Sequence, residues 1–336
     1  MKKTLKKGHG LGMGIAALLT AALFIFAGCD DGSTDSPPPP PDPLQTWTAV
    51  SDSTFNSRGD NIRGIAFGGS TFVAGGYSGS MVYSSDDGVS WLSASPFGRD
   101  YIYGIAYGGG KFVAVGGSGT MAYSSNNGVS WAVATSPFTS NDFIMGIAYG
   151  DDTFVAVGNG GKMAHSSDGV SWTAATSPFG SSDSIMGIAY GGGTFVAVGD
   201  GGKIAYSSDA GINWTAVTTS TFSSTGINGI AYGGGTFVAV GDGGKIAYSS
   251  DAGINWTAVT TGPFTTSYDS IRGIAYGGGK FVAVGGSGKM AYSSDGINWT
   301  AVTTSTFSSG INGIAYGGGK FVAVGGGHIA YSGALE

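Results

Sequence analysis

One phrase, Gly-Ile-Ala-(Tyr/Phe)-Gly, recurs seven times, beginning at Gly64, Gly104, Gly146, Gly187, Gly229, Gly273 and Gly313 at intervals of 40, 42, 41, 42, 44 and 40 residues. Each interval contains four short runs rich in β-branched and aromatic residues; in Ile271 to Thr303 they are IRGIAYGG, KFVAVGG, KMAYSS and INWTAVT. Gly, Ser or Asp bounds every run, so each reads as a strand ended by a turn. A period near 40 residues with four strands per unit is the pattern of a β-propeller blade. We label the strands of each blade a to d. Alternate residues then face the two neighbouring blades, and small residues such as Ala275, Ala283 and Ala291 allow close approach. Most of the 65 glycines serve turns.

The ends of the array predict a closed ring. The last copy stops after its c strand and lacks the Trp-Thr-Ala-Val piece, which stands instead at the front as Trp47 to Val50. An N-terminal strand completing the last blade removes two exposed sheet edges. Trp47, Trp91, Trp131, Trp172, Trp214, Trp256 and Trp299 supply one tryptophan per blade. The expectation is all-β: a propeller of seven four-stranded blades over residues 44–336.

The turn from c to d reads Ser84-Ser85-Asp86-Asp87-Gly88-Val89-Ser90-Trp91 in the first blade. This resembles the Asp-box, or BNR repeat, Ser-x-Asp-x-Gly-x-x-Trp, of the propellers that include sialidases and sialidase-like photosystem II assembly factors. Asn126 replaces the Asp in the second copy, the third and sixth copies are one residue short, and the seventh ends before a box can form. Physically the box is a folding device, with Asp or Ser accepting backbone N–H bonds and Trp covering the hairpin. One carboxylate per turn is too few for a calcium cage. The family resemblance implies that the boxes lie on the face away from the active site.

Residues 1–28 read as a signal peptide, with Lys2, Lys3, Lys6 and Lys7 ahead of an apolar stretch from Leu11 to Phe26. Phe26-Ala27-Gly28-Cys29 resembles a bacterial lipobox, which implies lipidation of Cys29, the sole cysteine, and a lipid-anchored protein of the cell envelope outside the cytoplasm. Residues 29–43 read as the lipidated cysteine and a stalk whose run Pro37 to Pro41 favours an extended polyproline spacer. Without its four leading lysines the chain has 11 basic and 21 acidic residues, which argues against nucleic acid as a partner. A monomer is expected.

Sialidase chemistry in the resembled family uses three arginines, a Tyr-Glu pair and an Asp. This chain has Arg58, Arg63, Arg99 and Arg272, no Arg-Ile-Pro motif, and a single Glu at Glu336. His165 stands where other blades have Tyr, and His328 where they have Lys, so neither has metal-cluster spacing. No catalytic residue, metal ligand or cofactor is assigned. Residues Gly187 to Thr219 and Gly229 to Thr261 are identical, and identical blades give a ring of repeated groups rather than the unlike groups of a catalytic centre. The Asn-Trp-Thr sequons at Asn213, Asn255 and Asn298 read as by-products of the repeat.

The copies differ most usefully at the residue before Gly-Ile-Ala: Arg63, Tyr103, Met145, Met186, Asn228, Arg272 and Asn312. At the start of the a strand these seven are placed at the mouth of the central channel, as a binding site for a protein or glycan. Three positions earlier stand Asp60, Asp100, Asp142, Asp183, Thr225, Asp269 and Ser309. They form either an acidic collar around the mouth or turn caps paired with the b-to-c lysines. The function expected is a membrane-anchored, non-catalytic binding or assembly scaffold. Its alternatives are a sialidase-like glycan hydrolase and a repeat-variable surface protein.

Overall fold

The computed structural model describes residues 40–51, 61–94, 99–266 and 268–335. The signal, Cys29 and the stalk through Pro39 lie outside the described residues. From Pro41 onward the chain is seven four-stranded antiparallel sheets arranged as propeller blades.

In the first blade β2 (Ile62–Gly68), β3 (Thr71–Gly76), β4 (Met81–Ser84) and β5 (Leu92–Ser93) are strands a to d. Strands β6 to β25 repeat the order in blades two to six. The last blade joins β26 (Ile311–Gly317), β27 (Lys320–Gly325) and β28 (His328–Ser332) to β1 (Trp47–Ala49), with Trp47 opposite Ser332 and Ala49 opposite Ala330. The N-terminal closure expected from the missing fourth strand is therefore present. The b strands are buried almost throughout, whereas the two-residue d strands are exposed.

Neighbouring blades lock through the last glycine of the repeated phrase. A Cβ on Gly68 would lie 2.0 Å from Cγ of Tyr107 in the next blade, and the same relation joins Gly108 to Tyr149 and Gly150 to Tyr190. Each aromatic ring thus occupies the space that any larger residue would need. The same ring packs on the phenylalanine of its own b strand, as Tyr149 does on Phe154 at 4.6 Å.

The c-to-d turns are a second inter-blade device. Ser84 Oγ accepts from the Gly88 amide at 3.0 Å and donates to Asp86 Oδ1 at 2.8 Å. Asp86 Oδ1 accepts from the Ser90 amide at 2.9 Å, and the Trp91 indole donates to the Gly88 carbonyl at 3.0 Å. Gly88 has φ +82°, and a Cβ on it would lie 2.7 Å from Val322 of the preceding blade. The sequon asparagines are spent in these turns: Asn213, Asn255 and Asn298 donate to Asp209, Asp251 and Asp295 at 2.7–2.8 Å. Burial pushes the Asp209 carboxyl up, but bonds from the Asn213 amide and side chain outweigh it and leave it below the usual carboxylate range.

The seventh turn corrects the expectation that no box forms there. It is assembled from both chain ends. Asp42 stands five residues before Trp47, as Asp86 does before Trp91. Its side chain accepts from the Leu44 amide at 2.9 Å, and the Trp47 indole donates to the Leu44 carbonyl at 2.8 Å. From the other end Ser332 occupies the box-serine position, and the Gly333 amide donates to the carbonyls of Pro43 and Thr46 at 3.1 and 2.8 Å. Leu44, where the other turns have glycine, is fully buried in one cluster with Trp47 and Val282. Asp42 and Pro43, assigned from sequence to the stalk, therefore belong to the last blade.

Candidate functional site: the channel mouth

All seven a strands carry a β-bulge at one place. Ile62 pairs with Gly76 and Gly64 with Gly75, so Arg63 is the extra residue. The same shift falls at Tyr103, Met145, Met186, Asn228, Arg272 and Asn312. A bulged residue is released from ladder pairing and its side chain is re-aimed. Here all seven side chains line one cavity of about 460 Å³, with Asn61 and Ser270 completing the wall. Beneath it the channel narrows to about 150 Å³ between seven Gly–Ile pairs, of which Gly64–Ile65 is the first. Sequence reasoning therefore placed the seven residues together at the mouth, and the bulge is why.

The wall is not uniform. On one side the Arg63 guanidinium lies 5.3 Å from the Tyr77 ring centre and 5.4 Å from that of Tyr103, while Nη2 donates to the Tyr77 hydroxyl at 2.9 Å. Arg63 Nε is buried without a hydrogen-bond partner. Tyr101 continues the aromatic sector, 4.6 Å from Tyr77 and 6.3 Å from Tyr103, and Phe143 lies 6.4 Å from Tyr103. Tyr101 and Phe143 are each 44 % exposed. Burial pushes the Tyr103 hydroxyl up, with Arg63 opposing.

The next sector of the ring is Met145 and Met186, and beyond them come amides and the second arginine. Asn228 Nδ2 donates to Asp242 Oδ1 at 2.9 Å, to the Ile271 carbonyl at 3.1 Å and to Ser270 Oγ at 3.3 Å. Arg272 Nη1 donates to Asn312 Oδ1 at 2.9 Å, and Asn312 Nδ2 donates to Asn61 Oδ1 and the Ile62 carbonyl. Arg272 is exposed.

The acidic collar is not part of this wall. Asp142 is bridged by Lys162 at 2.7 Å, Asp183 by Lys203 at 2.5 Å and Asp269 by Lys289 at 2.6 Å. The same carboxylates cap their loops, accepting from the amides of Thr139, Gly180 and Thr266. Asp100 accepts from Thr120 Oγ1 at 2.8 Å. Where Thr225 replaces Asp, Lys245 turns to the Phe222 carbonyl at 3.0 Å. Ser309 Oγ is buried without a hydrogen-bond partner, and Asp60 lies outside the described residues. Of the two sequence readings, the one with turn caps and lysine partners holds. Burial pushes the Asp142 carboxyl up, but Lys162 and Thr139 outweigh it and hold it below its ordinary value.

Three aromatic residues of the mouth escaped the sequence reading. Tyr77 opens the first b-to-c turn, and Tyr101 and Phe143 stand two residues before the bulge. The signal was present: the position of Tyr101 is Asn61, Phe143, Ser184, Gly226, Ser270 or Gly310 in the other blades. His165 pairs with Val155 and Thr173 on its c strand, and His328 begins the last one; neither lines the mouth. Among the described residues no three His, Cys, Asp or Glu side chains gather.

No curated protein matches the sequence. Among solved structures, YCF48 from Cyanidioschyzon merolae aligns with a TM-score of 0.66 at 17 % identity over 86 % of this chain and 98 % of its own. Virginiamycin B lyase from Staphylococcus aureus aligns with a TM-score of 0.72 at 15 % identity over 86 % and 99 %. RRP9 WD40 repeats align with a TM-score of 0.66 at 11 % identity over 86 % and 97 %. At such identities the likeness is one of fold. The sequence-level match is to the DUF6242 beta propeller domain, over residues 105–232 and 138–269, so the central blades of this seven-bladed β-propeller are similar to that family.

Proposed function

We propose that the chain is a non-catalytic binding or assembly scaffold that holds a protein or glycan at the channel mouth, carried at the cell envelope, outside the cytoplasm, by a lipid on Cys29. The observation that carries the reading is the convergence of seven unlike bulge residues on one cavity, while the surrounding framework is nearly invariant. Variation confined to the lining is what a ligand site on a repeated scaffold requires. The Ser-x-Asp-x-Gly-x-x-Trp turns support placing the chain with Asp-box propellers, whose boxes lie opposite the functional face. Two structural neighbours are described with bound molecules, YCF48 with D1 peptide and a catalytically inactive virginiamycin B lyase with quinupristin, so a propeller of this shape can hold a ligand.

The mouth favours holding over turnover. Two carboxylates stand at its edge, Asp200 and Asp242, both within 3.5 Å of where a Cβ on Gly226 would lie, and Asp242 Oδ1 is held by Asn228 and by Ser270 Oγ at 2.7 Å. Both are exposed to solvent rather than enclosed around a reacting centre.

The test is photo-crosslinking in the producing cells from position 101, comparing the parent chain with Arg63→Ala, Arg272→Ala, beside a glycan array. A partner or glycan retained by the parent and lost by the double variant supports the scaffold. Cleavage of any member of a chromogenic glycoside panel would overturn the non-catalytic reading. Capture that ignores the two arginines would favour a surface protein of variable repeat number.

A further inference from the structure

We infer that the ligand of the mouth is a peptide segment presenting a carboxylate beside an aromatic or large apolar side chain; this rests on the scaffold reading and names its ligand class. Two observations point there. The first is charge. The chain as a whole is acidic, with 21 acidic against 15 basic residues. At the mouth, the neighbouring aspartates 142, 183 and 269 are neutralised by their own lysines, and no ion pair among the described residues engages Arg63 or Arg272. The result is a mouth with two arginines that no carboxylate pairs, beside Asp242, which is held by Asn228 and Ser270, and those arginines favour an anionic group on the ligand. Arg63 is already ordered between two tyrosine rings, so engaging a carboxylate costs it little further freedom.

The second observation separates a peptide from a sugar. A glycan presents a dense set of hydroxyls and needs free amides or carboxylates to meet them. At this mouth the donors of Asn228 and Asn312 are already committed to Asp242, Ser270, Asn61 and main-chain carbonyls. The ring faces of Tyr101 and Phe143, the thioethers of Met145 and Met186, and the remaining donors of the two arginines stay open. Aromatic, Met and Arg surfaces are the composition of protein-recognition hot spots, and methionine adapts to side chains of differing shape. The carboxylate meets Arg63 or Arg272, and the adjoining apolar side chain lies on the Tyr101–Phe143 shelf.

The experiment is selection of a random displayed peptide library on the full chain, purified in detergent, with oligogalacturonate binding measured in parallel as the acidic-glycan probe. Enrichment of Asp or Glu within three residues of Phe, Tyr, Trp or Leu is expected. Synthetic peptides from that pool should lose on the order of tenfold or more in affinity for Arg63→Ala, and also when their acid is replaced by its amide. Enrichment of neutral or basic sequences overturns the inference. So does oligogalacturonate binding that depends on Arg63 without peptide enrichment, although the scaffold reading then stands. If both probes and the cellular crosslinking are blank, the scaffold reading falls as well.

Discussion

Gly317 and Phe67 meet across the closure of the ring: a Cβ placed on Gly317 would lie 2.0 Å from Cγ of Phe67. The last blade therefore receives the first as every blade receives its neighbour, although the two contributing segments are 250 residues apart. Gly317→Ala is expected to destabilise by about 2–4 kcal/mol through overpacking against an aromatic ring that cannot retreat. Gly262→Ala is the control, because nothing lies within 4 Å of its Cβ position, and its stability should change by no more than about 1 kcal/mol. Denaturant melts of both variants check this.

Trp47 closes the same ring from the opposite chain end. Truncating it removes a buried indole and its bond to the Leu44 carbonyl, so Trp47→Ala should cost about 3–5 kcal/mol. Because β1 holds the last blade, loss of the cooperative transition is expected when residues 42–50 are deleted. Thermal unfolding followed by circular dichroism would show it.

Blade two supplies its own control for acid sensitivity. There Asn126 accepts from the Ser130 amide at 3.0 Å and donates to Ser130 Oγ at 2.8 Å, making the turn without a titrating group. Asp86 is held below its usual carboxylate range: burial pushes it up, and bonds from the Ser90 hydroxyl and amide and from Ser84 outweigh that. A carboxyl depressed in the fold contributes stability above the unfolded value, near 4, and loses it as pH falls through the lower folded value. Asp86→Asn should therefore match the parent at pH 7 within about 0.5 kcal/mol and lose less stability than the parent below pH 4. Melting series from pH 7 to pH 2 measure the difference.

The aspartates before the bulges give the opposite signature to the arginines. Asp142→Ala removes the Lys162 bridge and the cap on Thr139 and should lower stability by roughly 1–2 kcal/mol with ligand affinity unchanged. Arg63→Lys should leave the melting temperature near that of the parent. It should still weaken binding on the order of tenfold, since lysine keeps the charge and loses both the planar fork and the stacking face. Calorimetry on each variant, with a selected peptide as titrant, separates the two roles.

The fold was legible because one period repeats with little noise: Gly, Ile, Ala and Tyr recur at the positions where glycine admits the next blade's ring. The mouth was legible at Arg63 and its six counterparts because they vary against a constant frame. The bulge that aims them was not, since a bulge is a relation between strands and leaves no mark on one strand alone. Tyr77 escaped because the b-to-c turns look like spacers. The aspartates misled in one of their two readings because sequence shows a shared position and not the lysine that answers it from the next turn. The split seventh turn was hidden by its two halves, Asp42 and Ser332, standing at opposite ends of the chain.

That split turn also fixes polarity. Within each sheet the c strand ends opposite the start of b, as Ser84 does opposite Phe72, whereas the bulge faces the end of b, as Ile62 does opposite Gly76. Asp42 and Pro43 are thus pinned at the pole of the ring opposite the mouth. Pro43 and Gly333 therefore meet on the side turned away from the bulge residues, and the seam leaves the cavity those residues line uncrowded.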